Sequence, residues 1–141
     1  MRRYLLDTNA AGHYINRRLG IRERAMSEVA RGNRLGICVP VLGELWFGVE
    51  ASASREQNLQ RLLVAVADLT VWPYDSAAAQ EYGRIATQLK RSGRTIQQID
   101  MQIAAVALLL GNCTVVSTDR DMTFIAGLAV ENWALQTAKT P

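Results

Sequence analysis

The sequence predicts a three-layer α/β domain, with a mainly parallel central sheet of four to five strands flanked by helices. Short apolar runs alternate with helical segments along the whole chain, and parallel strands need such crossovers. At 141 residues, 49% hydrophobic and 21% charged, the chain has the balance of one soluble globular unit able to bury a core without disulfide staples. No internal repeat, low-complexity tract or linker interrupts it.

The elements follow in order. Arg3–Leu6 is a short apolar strand, and two basic helical stretches follow, Ala10–Leu19 and Arg22–Arg31, ending at Gly32-Asn33. Leu35–Val39 is the second strand. Pro40 suits the first turn of a helix reaching Ala51, and Ser54 opens Arg55–Ala67, apolar at Leu59, Leu62, Leu63 and Val66. Leu69–Trp72 is the third strand. Asp75 caps a helix over Ala77–Arg91 that Gly93 stops, and an almost wholly apolar helix, Asp100–Leu110, ends at Gly111-Asn112. Thr114–Ser117 is the fourth strand, Asp121–Ile125 a helical turn, and Leu128–Glu131 a weak fifth strand. The domain is read as residues 1–134 and a polar tail as 135–141.

Several function classes are excluded by counting. The longest apolar run, Ile103–Leu110, is far short of the ~20 residues that span a bilayer, and Asp7 interrupts the N-terminal Tyr4-Leu5-Leu6 before it could act as a signal segment. A cytoplasmic protein without membrane contact is expected. Cys38 and Cys113 each lie in an apolar stretch and read as buried, reduced thiols. The single histidine, His13 in GHYINRR, leaves no two-histidine ribonuclease and reads as a bystander on an amphipathic helix rather than part of a Ser-His-Asp triad. Neither GxxxxGK[ST] nor GxGxxG occurs.

The carboxylates are more informative. Glu44, in VPVLGELWFGV, is the only charged residue between Arg34 and Glu50, and is expected to face inward or into a cleft. Asp100 opens an apolar helix. Asp7 ends the first strand, and Asp119 follows the fourth in STDRDM with Asp121 two residues on. Strand ends are where an open α/β sheet forms its crevice. Asp75, between LTVWPY and SAAAQ, serves as a control, since a strand-end aspartate is commonly no more than a helix cap. Acids gathered in one place repel each other, so such a site either raises one pKa strongly or binds a hard cation. Oxygen donors without His or Cys suit Mg²⁺ or Mn²⁺ rather than zinc. Metal-assisted phosphodiester hydrolysis is the expected chemistry.

Charge adds a partner. The net charge is +3, but Met1–Arg34 carries eight basic and three acidic residues, and fourteen of the sixteen basic residues are arginine, the side chain that forks onto phosphate. Arg17, Arg18, Arg22, Arg24 and Arg34 are candidates to hold a nucleic-acid backbone, weighed against a merely solvated helix surface.

At this point LLDTNA, VPVLGELWFGVEAS, DMQIAAVAL, VVSTDRDM and GLAVENW, in that order and spacing, resemble a PIN-domain ribonuclease of the VapC/FitB toxin type over nearly the whole chain. The resemblance implies a Mg²⁺- or Mn²⁺-dependent endoribonuclease, usually a homodimer, neutralised by a cognate antitoxin. It implies Asp7, Glu44, Asp100 and Asp119 as catalytic metal ligands, Asp121 as a fifth acid, and Thr8, Asn9 and Thr118 as groups that steady the carboxylates and bound water. It associates Trp46, Phe47, Val49, Leu59, Leu62 and Leu63 with antitoxin binding and, in part, dimer contacts. Two positions depart from the usual pattern: Met122 stands where many relatives carry Phe, and Gln97-Gln98-Ile99 where many have Pro or Asn. An aspartyl-nucleophile phosphatase fits less well, because Asn9 stands where its second acid belongs. A catalytically silent binding module is the remaining alternative.

Overall fold

The computed structural model describes residues 1–135. Five strands, β1 (Arg3–Leu6), β2 (Arg34–Cys38), β3 (Thr70–Trp72), β4 (Cys113–Val116) and β5 (Ala129–Glu131), form one sheet in the order β3-β2-β1-β4-β5. Every pairing is parallel. Six helices connect them: α1 (Thr8–Ile15), α2 (Ile21–Ala30), α3 (Val39–Ala51), α4 (Arg55–Ala67), α5 (Ser76–Arg91) and α6 (Gln98–Leu110), with a 3₁₀ turn over Arg120–Phe124. The α/β architecture is as predicted, with five strands, the upper of the four to five expected.

β1 is the centre of the sheet and its sequence says why: Tyr4, Leu5 and Leu6 are all buried, as a parallel strand covered on both faces requires. Leu6 lies level with Val116, and Arg3 with both Arg34 and Cys113. Successive crossovers build β2 and β3 on one side of β1, and β4 and β5 on the other. The strand order therefore reverses between β1 and β4, the place where an open parallel sheet leaves a crevice beyond its carboxyl ends. Ile37, Val41, Ile103, Val115 and Met122 fill the core with these strands. Gly36 sits where β2 and β3 pass closest, because a Cβ there would collide with the Thr70 carbonyl and press on the Trp72 ring.

The first helix is shorter than its apolar pattern suggests. It ends at Ile15, and Arg17 and Leu19 take left-handed backbone angles (φ 56° and 57°) in the bend that precedes α2. Two basic residues thereby leave the helix for a loop. α6 begins two residues before Asp100, so that acid is the third residue of the helix rather than its first.

The α3–α4 residues singled out above divide. Val49 and Leu62 are buried, whereas Trp46, Phe47 and Leu63 are exposed, Phe47 by 71%. Both cysteines are free; burial pushes the Cys38 thiol up to about 11 and Cys113 to about 12, so both are inert. Among the described residues no helix is long and apolar enough to cross a membrane. The Leu135 N–H donates to the Leu19 carbonyl at 2.8 Å, tying the first residue of the segment read as tail to the domain. The remainder of that segment, 136–141, lies outside the described residues.

Candidate active site

The site is built where the strand order reverses. Asp7 follows β1 directly and caps α1: its Oδ1 accepts from the Ala10 N–H at 2.8 Å. Because Leu6 and Val116 are in register, the residues that follow them, Asp7 and Ser117, emerge side by side. Two residues further on, Asp119 caps the 3₁₀ turn, its Oδ1 accepting from the Asp121 N–H at 2.9 Å. α6 runs back toward the foot of β4, so its first turn, with Asp100, lies at the same end of the sheet as Asp7. The Arg94 guanidinium, in the loop before α6, stacks 3.5 Å above the Phe124 ring and ties that loop to the 3₁₀ turn.

Electrostatics show which acids feel each other. Asp100 is half-buried and its carboxyl is pushed up to about 6, first by burial, then by the negative charge of Asp119 and Asp7, by a hydrogen bond with Asp119, and by Asp121. Asp7 is only 5% exposed. Burial raises its pKa and the charge of Asp119 adds to the rise, while the Ser117 hydroxyl, the Ala10 N–H and the charge of His13 act in the opposite direction. Asp7, Asp100, Asp119 and Asp121 are thus one electrostatic unit.

Glu44 stands apart. It lies a turn and a half into α3 and is exposed, on the rim of an open hollow that it shares with Pro40, Gly43, Phe47, Gln98 and Ile99. Of the two expectations, inward or into a cleft, burial in the core is not what the structure shows; Glu44 stands on the rim of this hollow instead. Val41 and Val49 carry the buried face of α3, and Phe47, next to Glu44 on the helix surface, is itself in solvent. Its nearness to Gln98 and Ile99 puts it beside the first turn of α6. Asn9 and Thr118 are exposed, and neither hydrogen-bonds to the acids among the described residues.

Ser117, by sequence no more than the end of a strand, joins two acids. Its hydroxyl is buried, favours the ionised form of Asp7, and accepts the Asp119 N–H at 2.9 Å. The signal is available only through register, since being one residue past β4 has meaning only once β4 lies beside β1. His13, one and a half turns along α1 from Asp7, is close enough for its charge to act on that carboxylate.

The predicted arginines also separate. Arg34 begins β2 level with Arg3, at the amino end of the sheet and the strand's full length from the acids. Arg24 is engaged with Glu28 (3.0 Å) and Glu131 (3.3 Å) and lies over the Trp133 ring. Arg17, Arg18 and Arg22 line a hollow at the far end of α1.

The donor set fits a hard divalent cation in its chemistry. It offers carboxylate oxygens that repel one another, and a buried Thr8 Oγ1, next to Asp7, that has no hydrogen-bond partner among the described residues. Among the described residues, no group of three or more His, Cys, Asp or Glu side chains is close enough to hold an ion as placed. The acids expected to meet at one site are thus placed as four aspartates that influence one another, Asp7, Asp100, Asp119 and Asp121, with Glu44 at their edge.

Comparison with known proteins bears on this geometry. The PIN domain family matches residues 4–128. The tRNA(fMet)-specific endonuclease VapC of Shigella flexneri is 33% identical over 135 residues, covering 95% of this chain and 100% of its own length. Ribonuclease VapC2 of Rickettsia felis is 29% identical over 130 residues, covering 92% and 97%. The structure of DNA-bound VapBC from Salmonella typhimurium superposes with a TM-score of 0.86 at 33% identity, covering 95% of this chain and 100% of that one.

Proposed function

The chain belongs to the PIN domain family, and from that membership we propose that it is a metal-dependent endoribonuclease that hydrolyses RNA phosphodiester bonds, the toxin of a pair held inactive by a cognate antitoxin. The observation that carries the reading is the mutual influence of Asp7, Asp100 and Asp119 at the reversal of strand order. Relatives named as ribonucleases or as a tRNA endonuclease, and neighbours solved as VapBC complexes, support it.

In this reading Asp7, Asp100 and Asp119 hold Mg²⁺ or Mn²⁺, with Asp121 and Glu44 as supporting acids. When bound, the cation supplies positive charge against the scissile phosphate and acidifies water for in-line attack. The chain itself does the positioning. Ser117 and the Ala10 N–H favour the ionised form of Asp7 against the burial that raises its pKa, and the Ala10 N–H fixes its direction; the Asp121 N–H orients the Asp119 carboxylate. Thr8 brings a buried hydroxyl that lacks a partner. A proton and a cation compete for Asp100, so cleavage falls as pH drops through about 6. No protein nucleophile is involved.

The apolar exposure of Trp46, Phe47, Leu63 and Val64 on α3 and α4 is surface for partner chains, the antitoxin and a second copy of this chain. An RNA substrate places the protein in the cytoplasm. The test is direct: purified protein free of antitoxin, given RNA with Mg²⁺ or Mn²⁺, cuts it, and EDTA, Asp7→Ala or Asp100→Asn abolishes cutting with circular dichroism unchanged. RNA left intact while small phosphate monoesters turn over would give the site to a phosphatase instead. No turnover of either would leave a binding module.

A further inference from the structure

The structure holds a second cluster of like charge, opposite in sign to the first. Arg17 and Arg18 from the bend after α1, Arg22 from α2 and Arg61 from α4 line one hollow of about 500 Å³, with Asn16 on its wall. Among the described residues none of the four is in an ion pair, whereas Arg24, Arg55 and Arg84 all are. Arg22 is steadied by the Tyr14 ring, 5.1 Å beneath its guanidinium, and the left-handed residues Arg17 and Leu19 set the bend that carries Arg17 and Arg18.

Crowded carboxylates can take up protons; guanidinium groups cannot release theirs anywhere near neutral pH. Only an anion relieves four of them around one hollow. The C-terminal end of α1 points here with about half a negative charge, too little to balance four positive ones.

We propose that this hollow is a phosphate-binding subsite, which grips the backbone of the RNA strand a few nucleotides from the bond cut at the acid cluster. The proposal rests on the ribonuclease reading and adds to it where the strand runs. A smaller hollow of about 200 Å³ shares Ile15, Asn16 and Arg61 with the first and continues along α1 to Gly12, opposite Gly48 of α3. Apart from the backbone of its own helix and its chain neighbours, nothing lies within 4 Å of where a Cβ would stand on either glycine, which leaves this path open. α1 has eight residues, about 12 Å of helix, with Asp7 at one end and the arginines at the other. Arg61 joins the predicted Arg17, Arg18 and Arg22 in this role; Arg24, already paired, and Arg34, at the opposite end of the sheet, have none.

Binding of a fluorescent single-stranded RNA 12-mer to the full chain, in EDTA so that nothing is cut, is followed by anisotropy across a salt series. The Arg18→Glu/Arg61→Glu double variant should bind at least about 10-fold more weakly, and its slope of log K against log salt should be shallower by about 1.4, near 0.7 for each phosphate no longer neutralised. Arg84→Glu, on remote α5, should change neither. If the double variant unfolds, Arg18→Gln/Arg61→Gln replaces it, with a loss in the same direction. With divalent cation present, the double variant should cut long RNA with a KM raised about 10-fold, whereas Arg84→Glu should cut it with the wild-type KM. Wild-type affinity and slope in the variants overturn the subsite even if RNA is cut. Loss of affinity for an acidic peptide but not for RNA overturns it as well, and gives the hollow to a protein partner. Absence of cleavage by the wild type overturns the nuclease reading alone, because the binding arm needs no catalysis.

Discussion

Asp100 sits in the first turn of α6, where a carboxylate ordinarily gains from the helix dipole, and still holds its proton up to about pH 6. Burial and the neighbouring Asp119 and Asp7 outweigh the dipole. The consequence for stability has a definite sign: a carboxyl whose pKa rises on folding binds its proton more tightly in the folded state. Its stabilising contribution is therefore complete below about pH 4 and lost as pH rises through about 6. Without metal at pH 7, Asp100→Asn should raise the unfolding free energy by about 1–2 kcal/mol, a full shift of this size being discounted for partial exposure. Exposed Glu44→Gln should change it by less than about 0.5 kcal/mol; both are measured by urea titration at pH 4.5 and 7, and the gain from Asp100→Asn should shrink at the lower pH. Ser117→Ala removes the hydroxyl that favours ionised Asp7. It should move the acidic limb of the cleavage pH profile upward and cost about 1–2 kcal/mol of stability.

Two elements start in the same way and serve different ends. α1 and α5 both follow a strand and are both capped by an aspartate whose Oδ1 accepts the N–H three residues on, at 2.8 Å for Asp7 and 3.0 Å for Asp75. Nothing local distinguishes the two caps. What differs is the neighbouring strand: β1 lies beside β4 and its Ser117, whereas β3 is at the edge of the sheet. Asp75→Ala should therefore cost about 1 kcal/mol in thermal unfolding and leave cleavage at the wild-type rate. Asp7→Ala should abolish cleavage with a smaller loss of stability, since the cap it removes is offset by relief of a buried, repelled charge. The short α1 has its own consequence. Had the helix continued to Leu19, as its pattern suggests, Arg17 and Arg18 would lie on its surface instead of bending toward Arg61.

At the scale of the whole molecule, repulsion among the acids and repulsion among the arginines occupy the two ends of α1, and each is relieved by a ligand the other would reject. Folding thus stores unfavourable charge that binding discharges. A ligand that binds only the folded state raises its stability, so Mg²⁺ or Mn²⁺ at about 10 mM should raise the melting temperature of the wild type by several degrees and that of an Asp7→Asn/Asp100→Asn variant by less than about 1 °C, read by calorimetry. The order of strands and helices, the buried β1 and the acids at strand ends were legible along the chain, because they depend on apolar periodicity and turn chemistry within a few residues. So was the family, whose motifs are local runs of residues. Element ends were less so: the left-handed bend at Arg17 and Leu19 is held by contacts with other segments, among them the Leu19 carbonyl bonded to Leu135. What the sequence by itself determined is which residues carry charge and which elements bear them. Only the tertiary structure decided that Ser117 lies beside Asp7, that Glu44 stands at the rim, and that Arg61 meets Arg17 and Arg18. Those facts depend on strand order and register, which bring together residues more than forty positions apart, and electrostatic energy depends on distance in space rather than along the chain.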